Sequence, residues 1–484
     1  MRIEITAFLC YNDYYRVAPA GIGISALSMI THGGAGHAVH EPNHKSYQNI
    51  ERKQMKRRLL TAAFCAAVLL TGCAGRTAES SREDTTAETD IPQSETTAET
   101  TEQITETTTK KADPPADLVM KGMDTVEAGA DITLDEFITE RNVELKDGSA
   151  LLDTSKLGAA DAEIAYIYGG TEFTQTLHYR VADTVKPHIF DPGERSYHKA
   201  GTAFDLNHYV GYGDYFDKAP VLTYEGEIEP DTVGKYPLTA TVTDSSGNSA
   251  SWNLTVHVVE KKPKSEDRIP RVEYSDFIER YKADNVRFGI DVSAWQADID
   301  YNAVRDAGCS FVIIRIGHFY SKVKLDDYFR QNIKNAKEAG LDVGIYFYTT
   351  DHSETEVREH VRWIAEQLDG QKLDLPIAFD WEEFSGFQEY GMSIRGLNDV
   401  YAAFADEVTK QGYQPMLYGS KNVLDAVWSE KSKRLAPVWL AHYVKETTYK
   451  GEYAIWQASA YGHIPGIKGD VDMDIQYLTQ KTDG

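Results

Sequence analysis

Cysteine is scarce in this chain of 484 residues, which has only four, and their positions exclude a disulfide framework. Cys10 and Cys65 lie in or before a segment that we expect to be removed. Cys73 has a separate role described below, which leaves Cys309 alone in the apolar run AGCSFVIIRI. A lone thiol in such a run is typical of a small buried core residue rather than a reactive group.

The chain also lacks an excess of basic residues. Lys and Arg number 50 against 75 Asp and Glu, so the formal net charge is -25 and the pI is near 5.0. Because phosphate binding depends on clustered Lys and Arg, this composition argues against nucleic acid as a partner. A chain of 484 residues is too long for one ordinary domain, so we expect several modules.

The apolar run near the N-terminus is short. It extends from Leu59 to Leu70 within MKRRLLTAAFCAAVLLTGCAGR, which starts at Met55, and it is too short to span a bilayer. A basic stretch followed by such a run is typical of an export signal. The ending LTGC resembles the lipobox of bacterial lipoproteins, which implies a signal peptide over 55–73 and a lipid on Cys73. The alternative is an ordinary cleaved signal peptide.

The segments on either side of this signal carry no sign of a packed core. Residues 1–54 fit neither a signal nor a domain, so we expect translation to start at Met55 and treat 1–54 as a mistranslated leader. Residues 74–116 are dominated by Thr, Glu, Ser and Asp and have almost no large apolar side chains. Such a segment cannot bury enough surface to offset its chain entropy, so it is predicted to be a disordered stalk.

Two small β modules are predicted over 117–183 and 184–260, followed by a linker over 261–285. The stretch YPLTATVTDSSGNSASWNLTVHVVE in the second module has apolar residues at alternate positions on both sides of DSSGN, which predicts a hairpin with one buried face. One face is expected to hold the residues Leu238, Ala240, Val242, Trp252, Leu254, Val256 and Val258.

This second module resembles bacterial immunoglobulin-like domains, and the first looks like a divergent copy. The resemblance implies two all-β sandwiches that act as spacers, with carbohydrate or protein binding as the alternative. His178, His188 and His198 have no regular ligand spacing, so we expect surface residues and no metal site.

Residues 286–484 show a different pattern, in which short apolar stretches alternate with helical ones. The stretches FGIDVS, SFVIIRIG, DVGIYFYT, LPIAFDWE, QPMLYGS, PVWLAHY and YAIWQAS are predicted strands, and YFRQNIKNAKEAG and EVREHVRWIAEQL are predicted helices. This alternation predicts a mostly parallel sheet closed into an α/β barrel. In such barrels functional residues lie at the C-terminal ends of strands, where Asp291, Asp380 and Glu382 are found.

Asp380 and Glu382 form the strongest chemical signal. Residues two apart on a strand point the same way, with backbones roughly 6.6 Å apart, so the two carboxyl groups share one face. Their repulsion raises one pKa and leaves the other low, which provides a poised acid beside an ionised partner and suits cleavage of a glycosidic bond. Metal binding is the main rival, and a structural cluster neutralised by Arg315 or backbone amides is the third possibility.

Several motifs in order resemble glycoside hydrolase family 25, the lysozymes that cut peptidoglycan. They are FGIDVSAWQADIDYNAVRDAG, VIIRIG, NAKEAGLDVGIYFY, LPIAFDWEE, VWLAHY and YAIWQASAYGHIPGIKGDVDMDIQY, and they cover about Arg287 to Leu478. The resemblance implies a TIM-like barrel of (β/α)5(β)3 type and hydrolysis of the β-1,4 bond between N-acetylmuramic acid and N-acetylglucosamine. A non-catalytic wall-binding protein and a hydrolase of another N-acetylglucosamine polymer are the alternatives.

The resemblance also assigns residues. The family's DxS motif falls on Asp291 and Ser293, its DxE motif on Asp380 and Glu382, and its late VD motif on Asp472. Glu382 is then the general acid, Asp380 stabilises positive charge or orients the acetamido group, and the other two acids complete an acidic floor. Attack by the substrate's own N-acetyl oxygen with net retention is favoured over a covalent glycosyl-enzyme intermediate.

Two positions depart from the family pattern. Ala297 replaces the usual Gly, which alters a turn, and Asp474 stands where Asn is common, which adds a charge near the cleft. The resemblance places substrate contacts at Tyr346, Tyr348, Tyr418, Trp439, Tyr443, Trp456 and Gln457, although core packing is at least as frequent for each ring.

No metal or organic cofactor is implied. The resemblance implies glycan strands of peptidoglycan as the partner, and the expected protein is a monomer outside the cytoplasm, anchored to the membrane through Cys73.

Overall fold

The computed structural model describes residues 114–191, 197–261 and 271–478. The predicted leader (1–54), the signal peptide with Cys73 (55–73) and nearly all of the stalk (74–116) lie outside the described residues. Within the described part of the chain, no helix combines the length and the apolar character that crossing a membrane requires.

The first module is a small mixed structure. Its elements are β1 (Met120–Gly122), β2 (Thr125–Glu127), α1 (Leu134–Phe137), β3 (Ile138–Arg141), β4 (Glu144–Leu145), β5 (Gly158–Tyr168) and β6 (Thr171–Ala182). One sheet has the order β2-β6-β5-β4, and β1 pairs with β3 in a second. Helix α1 begins with a capping box in which Thr133 and Glu136 each satisfy the other's backbone amide. Phe137, Ile164 and Val181 lie in the hydrophobic core of this first module.

The second module has the same kind of organisation. Its elements are β7 (His188–Asp191), β8 (Tyr197–Lys199), the 3-10 helix η1 (Leu206–His208), β9 (Gly211–Gly213), β10 (Val221–Glu225), β11 (Gly234–Thr243) and β12 (Ser249–Val259). The sheets are β10-β11-β12-β8 and β7-β9. The predicted hairpin is confirmed as β11 and β12, and six of the seven predicted face residues are buried. Trp252 is the exception, 44% exposed near the turn end of the hairpin.

The prediction of two immunoglobulin-like sandwiches is wrong. Such a sandwich packs two antiparallel sheets of about seven strands in total. Each module instead has one four-stranded and one two-stranded sheet, and parallel pairs join β2 to β6 and β12 to β8. The prediction that His198 is a surface residue is also wrong, because its ring is buried and bonds to the Tyr209 hydroxyl at 2.8 Å.

The C-terminal part contains the remaining elements. Its strands are β13 (Val272–Glu273), β14 (Val286–Val292), β15 (Phe311–Phe319), β16 (Val323–Leu325), β17 (Asp342–Thr349), β18 (Ile377–Asp380), β19 (Pro415–Ser420), β20 (Val438–Ala441), β21 (Ile455–His463) and β22 (Val471–Tyr477). Its helices are α2 (Tyr274–Tyr281), η2 (Ala294–Gln296), α3 (Tyr301–Asp306), α4 (Phe329–Glu338), α5 (Glu354–Leu368), η3 (Phe384–Tyr390), α6 (Ile394–Lys410), α7 (Lys421–Ala426) and α8 (Glu430–Leu435). All seven predicted strands and both predicted helices are present.

Eight strands close into a barrel, in the order β14-β15-β17-β18-β19-β20-β21-β22 and back to β14. In a TIM barrel all eight strands are parallel and each is followed by a helix. Here β22 runs antiparallel to both β14 and β21, and no helix lies between β20 and β21 or between β21 and β22. The predicted TIM-like α/β class is therefore wrong, and this part is a β-rich fold around a closed eight-stranded barrel.

The barrel strands are apolar on both faces. Ile313, Tyr346 and Met416 point into one core inside the barrel, while Val312 and Ile345 belong to the larger core between strands and helices. Strands covered on both faces need such nearly continuous apolar runs, which is why periodicity alone does not distinguish their two sides.

The second module packs against the segment that follows β18. Phe190 makes edge-to-face contacts with Phe384 at 5.5 Å and Phe387 at 5.4 Å between ring centroids. A Cβ on Gly211 would lie 2.3 Å from the Phe384 carbonyl oxygen, and one on Gly213 would lie 2.6 Å from the Phe387 ring. Only glycine therefore permits this close approach of β9 to η3.

Candidate active site

The centre of the site is the carboxyl pair at the end of β18. Asp380 is the last residue of that strand and is 3% exposed, and it shares a hydrogen bond with Glu382. Burial raises the pKa of Glu382 well above its ordinary value, and the charge of Asp380 raises it further. Glu382 is less completely buried than Asp380. Burial raises the pKa of Asp380 to about 7, and its hydrogen bond with Glu382 opposes this rise. The pair therefore has a Glu382 that keeps its proton above the ordinary pH range of a Glu side chain and that solvent can still reach, beside an Asp380 that ionises near neutral pH.

Two strands of the barrel seam add three more acids. Asp291 on β14 stands opposite Asp472 on β22, and Asp474 hydrogen-bonds to Asp291. Burial raises the pKa of Asp291 to about 7 and raises those of Asp472 and Asp474 well above their usual range. These groups therefore keep their protons to a higher pH than free carboxyl groups do.

Gln457 on β21 connects this acid group to two tyrosines. Its amide nitrogen Nε2 donates to Asp291 Oδ2 at 2.7 Å. Its amide oxygen Oε1 accepts from the hydroxyls of Tyr418 at 2.9 Å and Tyr443 at 2.8 Å. These bonds orient the amide group, and through it they hold the Asp291 carboxyl in place.

The remaining predicted contact residues divide between the two faces of the barrel wall. Trp439 lies inside, where its indole Nε1 donates to Asp474 Oδ1 at 2.8 Å, and Tyr346 packs against it at 6.2 Å. Tyr348 is 1% exposed and donates to Glu383 Oε1 at 2.8 Å. Trp456 is not brought to the acid group, because it packs against Tyr281 in the outer core.

Trp381 anchors the backbone between Asp380 and Glu382. Its indole Nε1 donates to the Asp351 carbonyl oxygen at 3.1 Å, and its ring contacts Phe384, Phe387 and Tyr390 at centroid distances of 4.9, 5.6 and 5.4 Å. Because Trp381 lies between the two acids in sequence, these contacts constrain the backbone that carries both. The aromatic contacts continue through Phe384 and Phe387 to the second module.

Arg315 is the cation that contributes to this site. It pairs with Asp326 at 2.7 Å and lowers the pKa of Asp380 against the larger effect of burial. Among the described acids of the barrel, no three place ligand atoms within 4.8 Å of one another, so a metal has no compact set of ligands at this site.

Part of the chain is similar to a family of known proteins. Residues 290–467 match the model of Glycosyl hydrolases family 25. The autolytic lysozyme of Clostridium acetobutylicum is 30% identical over 189 residues, which are 38% of this chain and 54% of that protein. Lysozyme M1 of Streptomyces globisporus is 30% identical over 198 residues, 38% of this chain and 65% of that protein. The chain thus spans between half and two thirds of these curated relatives.

Solved structures are similar over the same part of the chain. A family 25 glycosyl hydrolase from Bacillus anthracis is 19% identical with a TM-score of 0.35, covering 42% of this chain and 94% of that one. A bacterial lysozyme from Streptomyces coelicolor is 24% identical with a TM-score of 0.33, covering 40% and 93%. These scores add no argument to the family match.

The first motif of the segment that matches family 25 is a tight turn. Ser293 caps η2 by accepting from the Trp295 amide at 3.2 Å, and Gln296 returns a bond to the Ser293 amide. Ala297 follows with a φ of 52°, a conformation that glycine adopts without strain and alanine does not. The departure noted in the sequence is thus a local cost in the turn beside Asp291.

Three features of the segment that matches family 25 were not predicted from sequence patterns. Asp474 is an added charge in the sequence, but in the fold it is a buried partner of Asp291. Tyr320 is 48% exposed and lies 5.3 Å from the Tyr348 ring, and Trp295 is 58% exposed just after β14. Exposed aromatic rings directly after a barrel strand are the signal that would have found the last two.

Proposed function

We propose that this chain is a peptidoglycan muramidase, which hydrolyses the β-1,4 bond between N-acetylmuramic acid and N-acetylglucosamine. The observation that carries the proposal is the hydrogen-bonded pair of Asp380 and Glu382 inside the segment that matches family 25. The names of two relatives, autolytic lysozyme and lysozyme M1, support the choice of substrate.

In the proposed reaction Glu382 is the general acid. It donates its proton to the glycosidic oxygen as the bond from that oxygen to the sugar's anomeric carbon breaks. The acetamido oxygen of the same sugar attacks the anomeric carbon, and water then opens the resulting ring while its proton returns to Glu382. The configuration at the anomeric carbon is retained.

The other acids have supporting roles in this proposal. Asp380 is adjacent, and in its ionised form it stabilises the positive charge that develops on the acetamido group and the sugar ring. Asp291 and Asp472 form the acidic floor, where Asp291 is oriented by Gln457. A glycosyl-enzyme trapped on Asp380 would replace this route by a covalent one.

For substrate contact the exposed rings are better placed than the buried ones. Tyr346, Tyr348, Tyr418 and Trp439 are each less than 10% exposed, so they offer an incoming sugar edges rather than faces. Tyr320 and Trp295 present open faces, which suit pyranose rings. We therefore assign stacking to these two and hydrogen bonding to Tyr443, whereas Gln457 has the positioning role described above. Substitution of Tyr320 by Ala should raise KM more than it lowers kcat.

The test is digestion of purified peptidoglycan by the full chain, wild type beside Glu382→Gln. Glu389→Gln is the matched control, because Glu389 is exposed and close in sequence. New reducing ends are identified by mass spectrometry. Muramic acid ends from wild type and control, lost in Glu382→Gln, are expected. Glucosamine ends would refute the bond assignment, and no product from any of the three would favour a binding protein.

The proposed location of the enzyme is outside the cytoplasm, at the cell wall. We propose that 55–73 export the chain, that Cys73 carries a lipid, and that the stalk (74–116) and the two β modules (117–183 and 184–260) hold a monomeric catalytic part at the wall. Labelling of cells with a radioactive fatty acid should mark the wild-type chain but not Cys73→Ser. Equal labelling of both would exclude the anchor.

A further inference from the structure

A second cluster of acids lies outside the barrel, where the two β modules meet. Asp183 directly follows β6, Asp214 follows β9 and Asp244 follows β11. All three are buried, and one carboxylate oxygen from each lies within 4.8 Å of the others. Three strand ends from two modules thus converge on one point.

Several of these oxygens lack a regular hydrogen bond. Asp183 is 7% exposed, and the Ser246 side chain close to its carboxylate oxygens is not placed for a hydrogen bond of normal geometry. Asp214 is 0% exposed and its Oδ2 has none. No ion pair of the described residues includes Asp183, Asp214 or Asp244. Buried carboxylates are normally paired, hydrogen-bonded or bound to a metal, so the open oxygens point to a missing cation.

Backbone amides fix the orientation of the other oxygens. Asp214 Oδ1 accepts from the amides of Phe216 at 2.8 Å and Asp217 at 2.7 Å, which leaves Oδ2 without a donor among the described residues. Asp244 Oδ1 accepts from the amides of Ser246 and Asn248 at 2.9 and 2.8 Å. Bonds of this kind, from the surroundings to the ligand atoms, orient the carboxylates of metal sites.

The side chain of Asn248 joins two of the three strand ends. Its Nδ2 donates to the Asp183 carbonyl oxygen at 3.0 Å and to Asp244 Oδ2 at 2.9 Å. It thereby holds the end of the first module against the hairpin of the second. The carboxylates are therefore positioned by built contacts and not by chance proximity on a mobile surface.

We propose that Asp183, Asp214 and Asp244 bind one calcium ion at the junction of the two modules. All the ligand atoms are oxygens, which hard divalent cations prefer. Zn²⁺ is instead bound mostly by nitrogen and sulfur. Calcium accepts six to eight oxygens in irregular geometry, whereas Mg²⁺ is usually held by one or two carboxylates and retains its waters. Three convergent carboxylates, of which Asp183 and Asp214 have open oxygens, suit the larger ion.

The position of the site gives the ion a structural role. The Asp214 carbonyl oxygen accepts from the Ile394 amide at 2.7 Å, and the Tyr215 carbonyl oxygen accepts from the Arg395 amide at 3.1 Å. These bonds join the cluster to the start of α6 in the barrel part. A bound ion would therefore stiffen the connection from the first module through the second to the segment after Glu382.

The test uses the full chain, stripped with EDTA and titrated calorimetrically with CaCl2 and separately with MgCl2. Extracellular calcium modules have dissociation constants of about 0.1–1 mM, so the titration extends to about 10 mM. One Ca²⁺ per chain is expected, with Mg²⁺ at least tenfold weaker. Asp183→Asn and Asp214→Asn should each weaken calcium binding at least tenfold, whereas Asp231→Asn, at an exposed aspartate, should not.

Thermal midpoints distinguish the loss of a calcium ligand from a general loss of folding in a variant. In EDTA the Asn variants should melt at or above the wild-type temperature, because each removes repulsion among buried carboxylates. In calcium the wild type should melt several degrees higher than in EDTA, and the variants should not respond. Absence of saturable calcium binding by the wild type, or an equal calcium response in all variants, would overturn the proposal.

Discussion

Replacement of Asp474 by Asn tests the buried acid group most sharply. Asp474 is fully buried, its Oδ1 accepts from Trp439, and its Oδ2 has no donor among the described residues apart from the Asp291 carboxyl, with which it bonds only when one of the two groups is protonated. Its carboxyl faces that of Asp291, and two carboxyl groups in this arrangement share a proton. The amide of Asn keeps the shape of the side chain and still accepts from Trp439. Its Nδ2 can also donate to Asp291, and this bond does not require a protonated carboxyl group.

The sign of the effect follows from the raised pKa of Asp474. Burial is its main cause and the charge of Asp291 the next. The folded state therefore binds more protons than the unfolded state above about pH 4, the ordinary value for Asp, so the free energy of unfolding falls as the pH rises through the folded-state pKa. The wild type is stabilised by this proton in acid and loses that stabilisation towards neutral pH.

The magnitude is that of satisfying one buried polar group, about 1–3 kcal/mol. We expect Asp474→Asn to raise the free energy of unfolding by this amount at pH 8 and by less at pH 5. For a domain of 150–250 residues this corresponds to a rise of about 2–12 °C in the thermal midpoint at pH 8.

The assay is differential scanning calorimetry of the full chain at both pH values, following the transition that glycan fragments shift. Asp284→Asn, at an exposed aspartate, is the control and should leave both midpoints unchanged. A lower midpoint for Asp474→Asn at pH 8, or the same shift at pH 5 and pH 8, would refute a shared proton between Asp474 and Asp291.

Three further outcomes are expected. Ala297→Gly should raise stability by about 1 kcal/mol, measured by chemical denaturation, because its φ of 52° strains alanine, and a loss of stability would contradict this. Gly213→Ala places a Cβ 2.6 Å from the Phe387 ring and should lower kcat about tenfold to hundredfold. The control Gly386→Ala, whose Cβ would have no atom nearer than 3.8 Å, should leave kcat unchanged. Equal kcat values for the two variants would show that the second module does not position the site. Cys309 should resist iodoacetamide at pH 8 in the native chain, because burial raises the pKa of its thiol to about 12. Peptide mapping measures the alkylation, and rapid alkylation would show that the thiol is accessible.

Local patterns in the sequence predicted much of the barrel. Seven strands and two helices follow from runs of apolar residues and their spacing, and closure follows from the number of strands. The strand β22 was not predicted, because VDMDIQY carries two acids at positions that are ordinarily solvated. Its acids are tolerated only because the barrel brings Asp291, Trp439 and the seam strands around them.

The fold class was harder to predict, because local patterns do not report pairing direction. An antiparallel β22 and a parallel one would have the same alternation, and the modules' hairpins are equally compatible with a sandwich or with smaller sheets. Likewise, Trp456 and Gln457 are adjacent in the chain, but one points to the outer core and the other to Asp291. Which face is the interior depends on contacts with distant residues.

The sequence by itself determined the composition of the site: a DxE after an apolar strand, further acids in a fixed order, and a lone thiol suited to a core. Only the tertiary structure decided which acids share a proton, which rings remain open to a sugar, and that three aspartates from three strand ends meet at the module junction. The reason is physical: pKa values and cation binding depend on burial and on charges within a few ångströms, and those neighbours come from residues far apart in the chain.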